Sequence, residues 1–443
     1  MSASSAVPYG FYGDDFTGAT DTLAHLSRAG LRTLLFLAPP DRARLDRVGP
    51  LDAVGIAGAA RAMPPAGMAD ELARAGTCLA SLGVRVMHYK VCSTFDSAPE
   101  AGNIATAVDT LRRIFVNPFV PVIGGQPDLL RYCVFGQLFA AAGSDTRAIH
   151  RIDRHPTMSR HPVTPMNEAD LRLHLERQGM RDVASVDWRA YALPFEKLDA
   201  LVDAKIALRS SAILFDVLRD DDLRTLGRLI ETRSRRAPLL AVGASSVAQA
   251  WCAADTARTP RDCHEEQPLG RAQGPVFALA GSLSPTTAAQ IEATHSYWKI
   301  ELDPLASNDG TPRFNAAPIV DMLREGRNVL AFTRRPRASA NGEPQQEASR
   351  ARTAEACAAL LSDVVRSARP RRVGIAGGDT SSHAVHALDA WGLSYRAPLT
   401  TGATVCRLHA DEPWLDGTEI MFKGGQMGEI DVLERLIAGQ SAD

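Results

Sequence analysis

The feature that most restricts this chain is a repeated alternation of two segment types. A short apolar or β-branched run is followed by a helix-length stretch with apolar residues at helical spacing. Strand-type runs occupy residues 53–57, 84–89, 120–123, 212–216, 239–242, 276–280, 329–333, 373–376 and 419–422. Between them, 104–115, 222–234, 286–294 and 353–366 gather their apolar side chains on one helical face. Strand then helix, many times over, builds βαβ units, so the expected class is α/β with mostly parallel sheets flanked by helices. At 443 residues the chain exceeds one ordinary core. The polar stretch 262–274 (DCHEEQPLGRAQG) carries Pro and Gly without periodicity and is the expected boundary, giving domains at 1–265 and 272–443. A second polar stretch, 334–350, reads as a surface loop inside the second half.

Composition removes several function classes. A net charge of −2 offers no electrostatic footprint for nucleic acid or anionic membrane, and 6% aromatics gives little for base stacking. No apolar run reaches the roughly 18–20 residues of a membrane span, and residues 1–10 have no basic segment leading into an apolar one. The seven cysteines are scattered and include no Cys-x-x-Cys pair, which argues against a disulfide framework and a cysteine zinc site. A cytoplasmic protein acting on small molecules, as a monomer or a homo-oligomer, is expected.

Several loops then carry chemistry. Residues 12–21 (YGDDFTGATD) set Asp14, Asp15 and Asp21 among hydroxyls at a strand-to-helix turn. One carboxylate suffices to cap a helix, and adjacent ones repel, so the surplus calls for a cation, a polyol or a shared proton. Residues 90–97 (KVCSTFDS) follow a strand and place Lys90, Ser93, Thr94 and Asp96 together, a set suited to an anionic, hydroxylated ligand. Asn103 opens the next helix, whose N–H groups could receive a carboxylate. Arg160 lies in the proline-punctuated loop 158–166 and could hold a carboxylate bidentately. His150, His155 and His161 fit no common metal spacing and read as solvent-facing loop residues. In the second half, three strand ends lead into Gly281-Ser282, Gly377-Gly378-Asp379-Thr380 and Lys423-Gly424-Gly425. Glycine admits close backbone approach and helix N-termini favour anions, so together these loops point to nucleotide phosphates. Neither the P-loop pattern nor a strand-linked dinucleotide fingerprint is present.

Taken in order, residues 13–18, 90–97, 160–166, 281–282, 377–381 and 423–428 resemble the four-carbon acid sugar kinase family, which includes threonate, erythronate and 3-oxo-tetronate kinases. The resemblance spans the whole chain. It implies an N-terminal domain for the sugar acid, a C-terminal domain for ATP, and an active site in the cleft between them. Phosphoryl transfer from ATP with Mg²⁺ to the C4 hydroxyl is the implied reaction, with a hinge that closes on substrate. Asp14, Asp15, Lys90, Ser93, Thr94, Asp96 and Arg160 would bind the acid. Ser282, Gly377, Gly378, Asp379, Thr380 and Gly425 would contact ATP. Asp15 is the expected base, with Asp379 as the competitor or an organiser of Mg²⁺. Where many relatives continue the glycine loop, this chain has Ser382 and His383. A non-catalytic sugar-acid sensor on the same fold, and a two-domain NAD-dependent oxidoreductase, are the alternative readings.

Overall fold

The computed structural model describes residues 7–142, 148–161, 164–254, 268–282, 284–304, 312–334 and 343–439, without the side chains of 343–351 and 379. Residues 262–267 of the expected boundary, 335–342, Pro162, Val163 and Leu283 lie outside the described residues, as does the Asp379 side chain. The chain divides into two compact units, Met1–His264 and Glu265–Asp443.

In the first unit the elements run β1 (Tyr9–Gly13), α1 (Phe16–Arg28), β2 (Thr33–Phe36), α2 (Arg42–Val48), β3 (Ala53–Ala57), α3 (Pro65–Ser81), β4 (Val86–Lys90), α4 (Ile104–Leu111) and β5 (Pro121–Ile123). A small antiparallel sheet of β6 (Gly125–Gln126), β7 (Arg131–Val134), β8 (Gln137–Ala141) and β9 (Ile149–Arg151) then interrupts the alternation. It resumes with α5 (Leu171–Arg177), β10 (Val183–Val186), α6 (Phe195–Ala207), β11 (Ala212–Phe215), α7 (Asp220–Ser234), β12 (Leu239–Gly243) and α8 (Ser246–Ala254). The large strands order as β10-β11-β5-β12-β4-β1-β3-β2, every pair parallel. Strands β1, β3, β4 and β12 are buried along their whole length, as strands covered by helices on both faces must be. From β1 the chain passes to the outer strand β2, returns to β3 beside β1, and then crosses to β4 on the other side of β1. That reversal between β1 and β4 opens a crevice at their carboxyl ends, where open α/β sheets bind ligands.

The second unit repeats the plan with β13 (Val276–Ala280), α9 (Pro285–Ala293), β14 (Trp298–Leu302), α10 (Ala317–Arg324), β15 (Val329–Thr333), α11 (Glu343–Ala368), β16 (Arg372–Ala376) and α12 (Gly378–His386). An antiparallel pair, β17 (Ala390–Thr400) and β18 (Ala403–Ala410), precedes β19 (Glu419–Lys423) and α13 (Val432–Ala438). The strand order is β17-β18-β19-β16-β13-β15-β14, with the reversal between β13 and β16. Its core packs Val276, Ala278, Leu330, Val405, Met421, Leu433 and Leu436.

One element departs from the expected pattern. Helix α11 begins at Glu343, inside the stretch expected to be a loop. Its opening residues are rich in Glu, Gln, Ala and Arg, which favour helix however polar they are, so polarity alone misreads them.

Candidate active site

Three adjacent strand ends build the polar centre of the first unit. Asp14 and Asp15 follow β1, and Lys90 ends β4. Arg61 sits in the 3-10 turn Ala60–Ala62 beyond β3. Asp14 is buried, and both its oxygens accept from Arg61, from Nε at 3.2 Å and from Nη2 at 2.9 Å. Asp15 caps α1: its Oδ1 accepts from the Gly18 amide at 3.1 Å, from Arg61 Nη2 at 2.8 Å and from Lys90 Nζ at 3.3 Å. The capping role foreseen for one of the pair therefore falls to Asp15, while Asp14 receives the arginine. Asp96 completes the group, 3.7 Å from Arg61 Nη1 and accepting from Thr94 Oγ1 at 2.5 Å.

Environment pushes the two neighbouring carboxyls apart. Burial raises Asp14 to about 6, against the pull of Arg61. Burial acts on Asp15 too, but Arg61 and Lys90 outweigh it and hold its carboxyl below the usual range. Asp96 is held well below that range, Arg61 and the Cys92 and Thr94 hydrogen bonds overcoming its burial. All three hydrogen bonds to Asp15 converge on Oδ1, so Oδ2 accepts none from a described residue. Arg61 is the central cation, and sequence reasoning missed it. The available signal was an arginine just after Gly58, the glycine that follows β3.

Gly18 explains itself in this geometry. A Cβ there would fall 1.4 Å from Lys90 Nζ, so only glycine lets the ammonium reach Asp15. The loop after β4 turns through a positive φ at Phe95, whose ring is fully buried. Thr94 is buried, whereas Ser93 is half-buried and its hydroxyl has no partner among the described residues.

Three expectations change here. Lys90 is not a free cation, since Asp15 pairs with it. The opening amides of α4 are likewise occupied: Ile104 donates to Gln178 Oε1 at 2.7 Å and Thr106 to Asn103 Oδ1 at 2.8 Å. Arg160 is exposed, in the short turn Met158–Arg160, and pairs with no described carboxylate. His155 is buried rather than solvent-facing. Its Nδ1 accepts from the Thr157 and Met158 amides and its Nε2 meets the Ala141 carbonyl, so it pins the turn that carries Arg160.

In the second unit, three neighbouring parallel strands, β19, β16 and β13, end in the glycine-bearing loops. The loops are tied by backbone. Gly281 and Ser282 donate to the Ala376 carbonyl at 3.0 and 3.1 Å, and Gly377 donates to the Lys423 carbonyl at 3.0 Å. Ser284 caps α9, and both its hydroxyl and that of Thr287 donate to the Gly425 carbonyl. The glycines separate into two kinds. A Cβ on Gly425 would meet Ser282 Oγ at 2.4 Å, and one on Gly281 would meet Thr380 Oγ1 at 2.0 Å, so packing alone requires them. At Gly378, the first residue of α12, a Cβ would meet no described protein atom within 4 Å. Packing does not explain that glycine, and close approach of a ligand would. Lys423 is fully buried, donating to Thr287 Oγ1 and the Gly424 carbonyl at 3.1 Å each; burial brings its pKa down to about 7.

One sheet thus ends in fixed charges and hydroxyls, and the other in backbone amides around a helix start. That is the division of labour of a protein that handles a polyhydroxylated ligand and a phosphate-bearing one. Residues 9–251 match the family model described as a sugar-binding N-terminal domain, and 277–433 match the nucleotide-binding C-terminal domain. The chain belongs to the sugar-acid kinase family that these two domains compose. It is similar to the 3-oxo-isoapionate kinase of Paraburkholderia graminis, at 37% identity over 437 residues, covering 95% of this chain and 92% of the relative. The 3-oxo-tetronate kinase of Methylobacterium radiotolerans is 29% identical over 438 residues, covering 97% and 98%. A solved structure of a Salmonella typhimurium LT2 protein shares the fold, with TM-score 0.74 at 22% identity over 97% of this chain and 98% of that one.

Proposed function

We propose that this protein transfers the γ-phosphoryl group of MgATP to the terminal hydroxyl of a 3-oxo sugar acid, the C4 hydroxyl when the acid has four carbons. The observation that carries the reading is the buried group of Asp14, Asp15, Asp96, Arg61 and Lys90, gathered at the sheet's switch point in the unit that matches a sugar-binding domain. The relatives are named for 3-oxo acids, and the higher identity to the 3-oxo-isoapionate kinase puts that acid first among substrates to try.

Asp15 is the proposed base. Its Oδ1 is immobilised and its Oδ2 is open to the attacking hydroxyl. A depressed pKa suits this role, because a loose phosphoryl-transfer transition state demands little early proton removal. Arg61 and Asp14 act as the rigid support that sets the Asp15 position. Ser93, Thr94, Asp96 and Arg160 contact the acid, and Lys90 orients Asp15. On the nucleotide side, the amides at Gly378 and Thr380 cradle phosphates beside Gly377, Ser282 and Gly425, and Asp379 would hold the Mg²⁺ that arrives with ATP. No described helix is long and apolar enough to cross a membrane, in keeping with a cytoplasmic site of action.

The test is ADP release with 3-oxo-isoapionate, 3-oxo-tetronate, threonate and erythronate, with the phosphorylated position read by phosphorus NMR. Turnover of a 3-oxo acid, with a phosphate monoester on its terminal carbon, is expected. ADP release no faster than hydrolysis with every acid would sink the proposal.

A further inference from the structure

A sugar acid brings a carboxylate into a site whose own charges are unbalanced. Asp14, Asp15 and Asp96 form their ion pairs with Arg61 and Lys90, and both cations are engaged by those carboxylates. The anionic end of a ligand needs another cation with free donors.

Building on the sugar-acid reading, we infer that Arg131 is the specificity residue that receives the substrate carboxylate. Arg131 opens β7, anchored on both sides by the small sheet: it pairs with Gln126 of β6 and Ala140 of β8. The turn before it is held by Leu130 at a positive φ of 56°, its amide donating to the Pro127 carbonyl at 2.8 Å. The guanidinium is used on one side only. Nη1 donates to the Leu129 carbonyl at 2.6 Å and, more weakly, to Leu130 at 3.4 Å. Nε is buried without any hydrogen-bond partner, and Nη2 donates to no described residue. The Nε–Nη2 edge is the one that grips a carboxylate in two parallel hydrogen bonds. Among the described residues no carboxylate lies within ion-pair distance of Arg131. Burial lowers its pKa against the opposing charges of Cys92, Asp96 and Tyr132, the first two in the loop after β4 that carries the candidate acid-binding residues.

A buried N–H with no acceptor is a cost that a native fold rarely leaves standing unless something binds there. Arg160 answers this requirement less well. It is exposed, so its charge is screened by water whether or not a ligand is present.

The experiment compares kcat/KM for 3-oxo-tetronate and for erythrulose, which has the same ketone and terminal hydroxyls but no carboxylate. Wild type, Arg131→Gln, Arg131→Lys and Arg160→Ala are measured alongside ATP affinity. Arg131→Gln is expected to lower kcat/KM for the acid by about 10- to 100-fold, the range of a charged hydrogen bond, while changing erythrulose less than about 3-fold. Arg131→Lys should recover part of the loss, because an ammonium cannot supply the planar fork. Arg160→Ala should move the ratio less than Arg131→Gln does. If Arg131→Gln keeps the wild-type acid-to-erythrulose ratio, or lowers both substrates equally with ATP affinity retained, the assignment is overturned. A wild type inert toward every acid would overturn the sugar-acid reading instead, so the two failures are distinguishable.

Discussion

The two units carry the same sheet plan and solve different problems at the ends of their strands. In the first, the reversal point between β1 and β4 is filled with side-chain charge: three carboxylates and two cations, three of the five less than one-tenth exposed. In the second, the reversal between β13 and β16 is lined with backbone amides and hydroxyls around a lysine that has no ion pair among the described residues. Side-chain charge fixes direction and stereochemistry, which suits recognition of a ligand by its hydroxyls and acid group. Amides and a helix start recognise phosphate oxygens whatever they are attached to. Glycine marks the same contrast. Gly18 makes room for a protein ammonium, whereas Gly378 leaves room that no described protein atom fills.

The most severe way to break this comparison is Asp15→Asn. If the first unit supplies the base, kcat should fall about 10²–10⁴-fold with ATP affinity unchanged. Single-turnover kinetics with ATP titration reads both, and a variant retaining most of its kcat would move the role to Asp379.

The glycine contrast is the next test. Gly18→Ala should drive Lys90 off Asp15 and break a buried pair, costing about 2–3 kcal/mol and lowering the melting temperature. Gly378→Val should leave melting nearly unchanged and weaken ATP about 10- to 100-fold, measured by calorimetry with and without the sugar acid. A Gly378→Val protein that melts early but binds ATP normally would make that glycine structural and remove the distinction.

The remaining test is the pH dependence that Lys423 confers. Burial lowers its folded pKa to about 7, from an unfolded value near 10.5. Between those values the unfolded chain holds the extra proton, so this lysine makes stability rise with pH. The slope approaches at most about 1.4 kcal/mol per pH unit. Below pH 7 both states are protonated and the contribution flattens. Lys423→Met should abolish the rise in melting temperature between pH 7 and 9, relative to wild type. Equal slopes in the two proteins would mean that Lys423 keeps its charge when folded.

Strand–helix alternation was legible because it is written in local patterns: 53–57, 276–280 and 329–333 form strands with those limits, and the other runs shift by one or two residues. It missed β2, β10, β14 and the eight-residue β18, and the other missed pieces are short or irregular. Strand β17 contains Gly392 and Pro398 and carries register shifts, while the small sheet uses strands of two to five residues, too brief for period-two alternation to register.

For the site, sequence alone marked the candidate loops, since an excess of aspartates or glycines at a strand end is visible without knowing what lies opposite. The family resemblance also placed Lys90, Asp14, Asp15 and Asp96 in one group. Tertiary structure decided their partners. Arg61 stands 46 positions from Asp15, and only the parallel sheet brings that distance down. Tertiary structure also decided which cations are already spent, because neutralisation is a property of pairs in space: Lys90 looks free in the chain and is bound to Asp15 in the fold. A guanidinium edge left unpaired by its neighbours, as at Arg131, is invisible until every neighbour is in place.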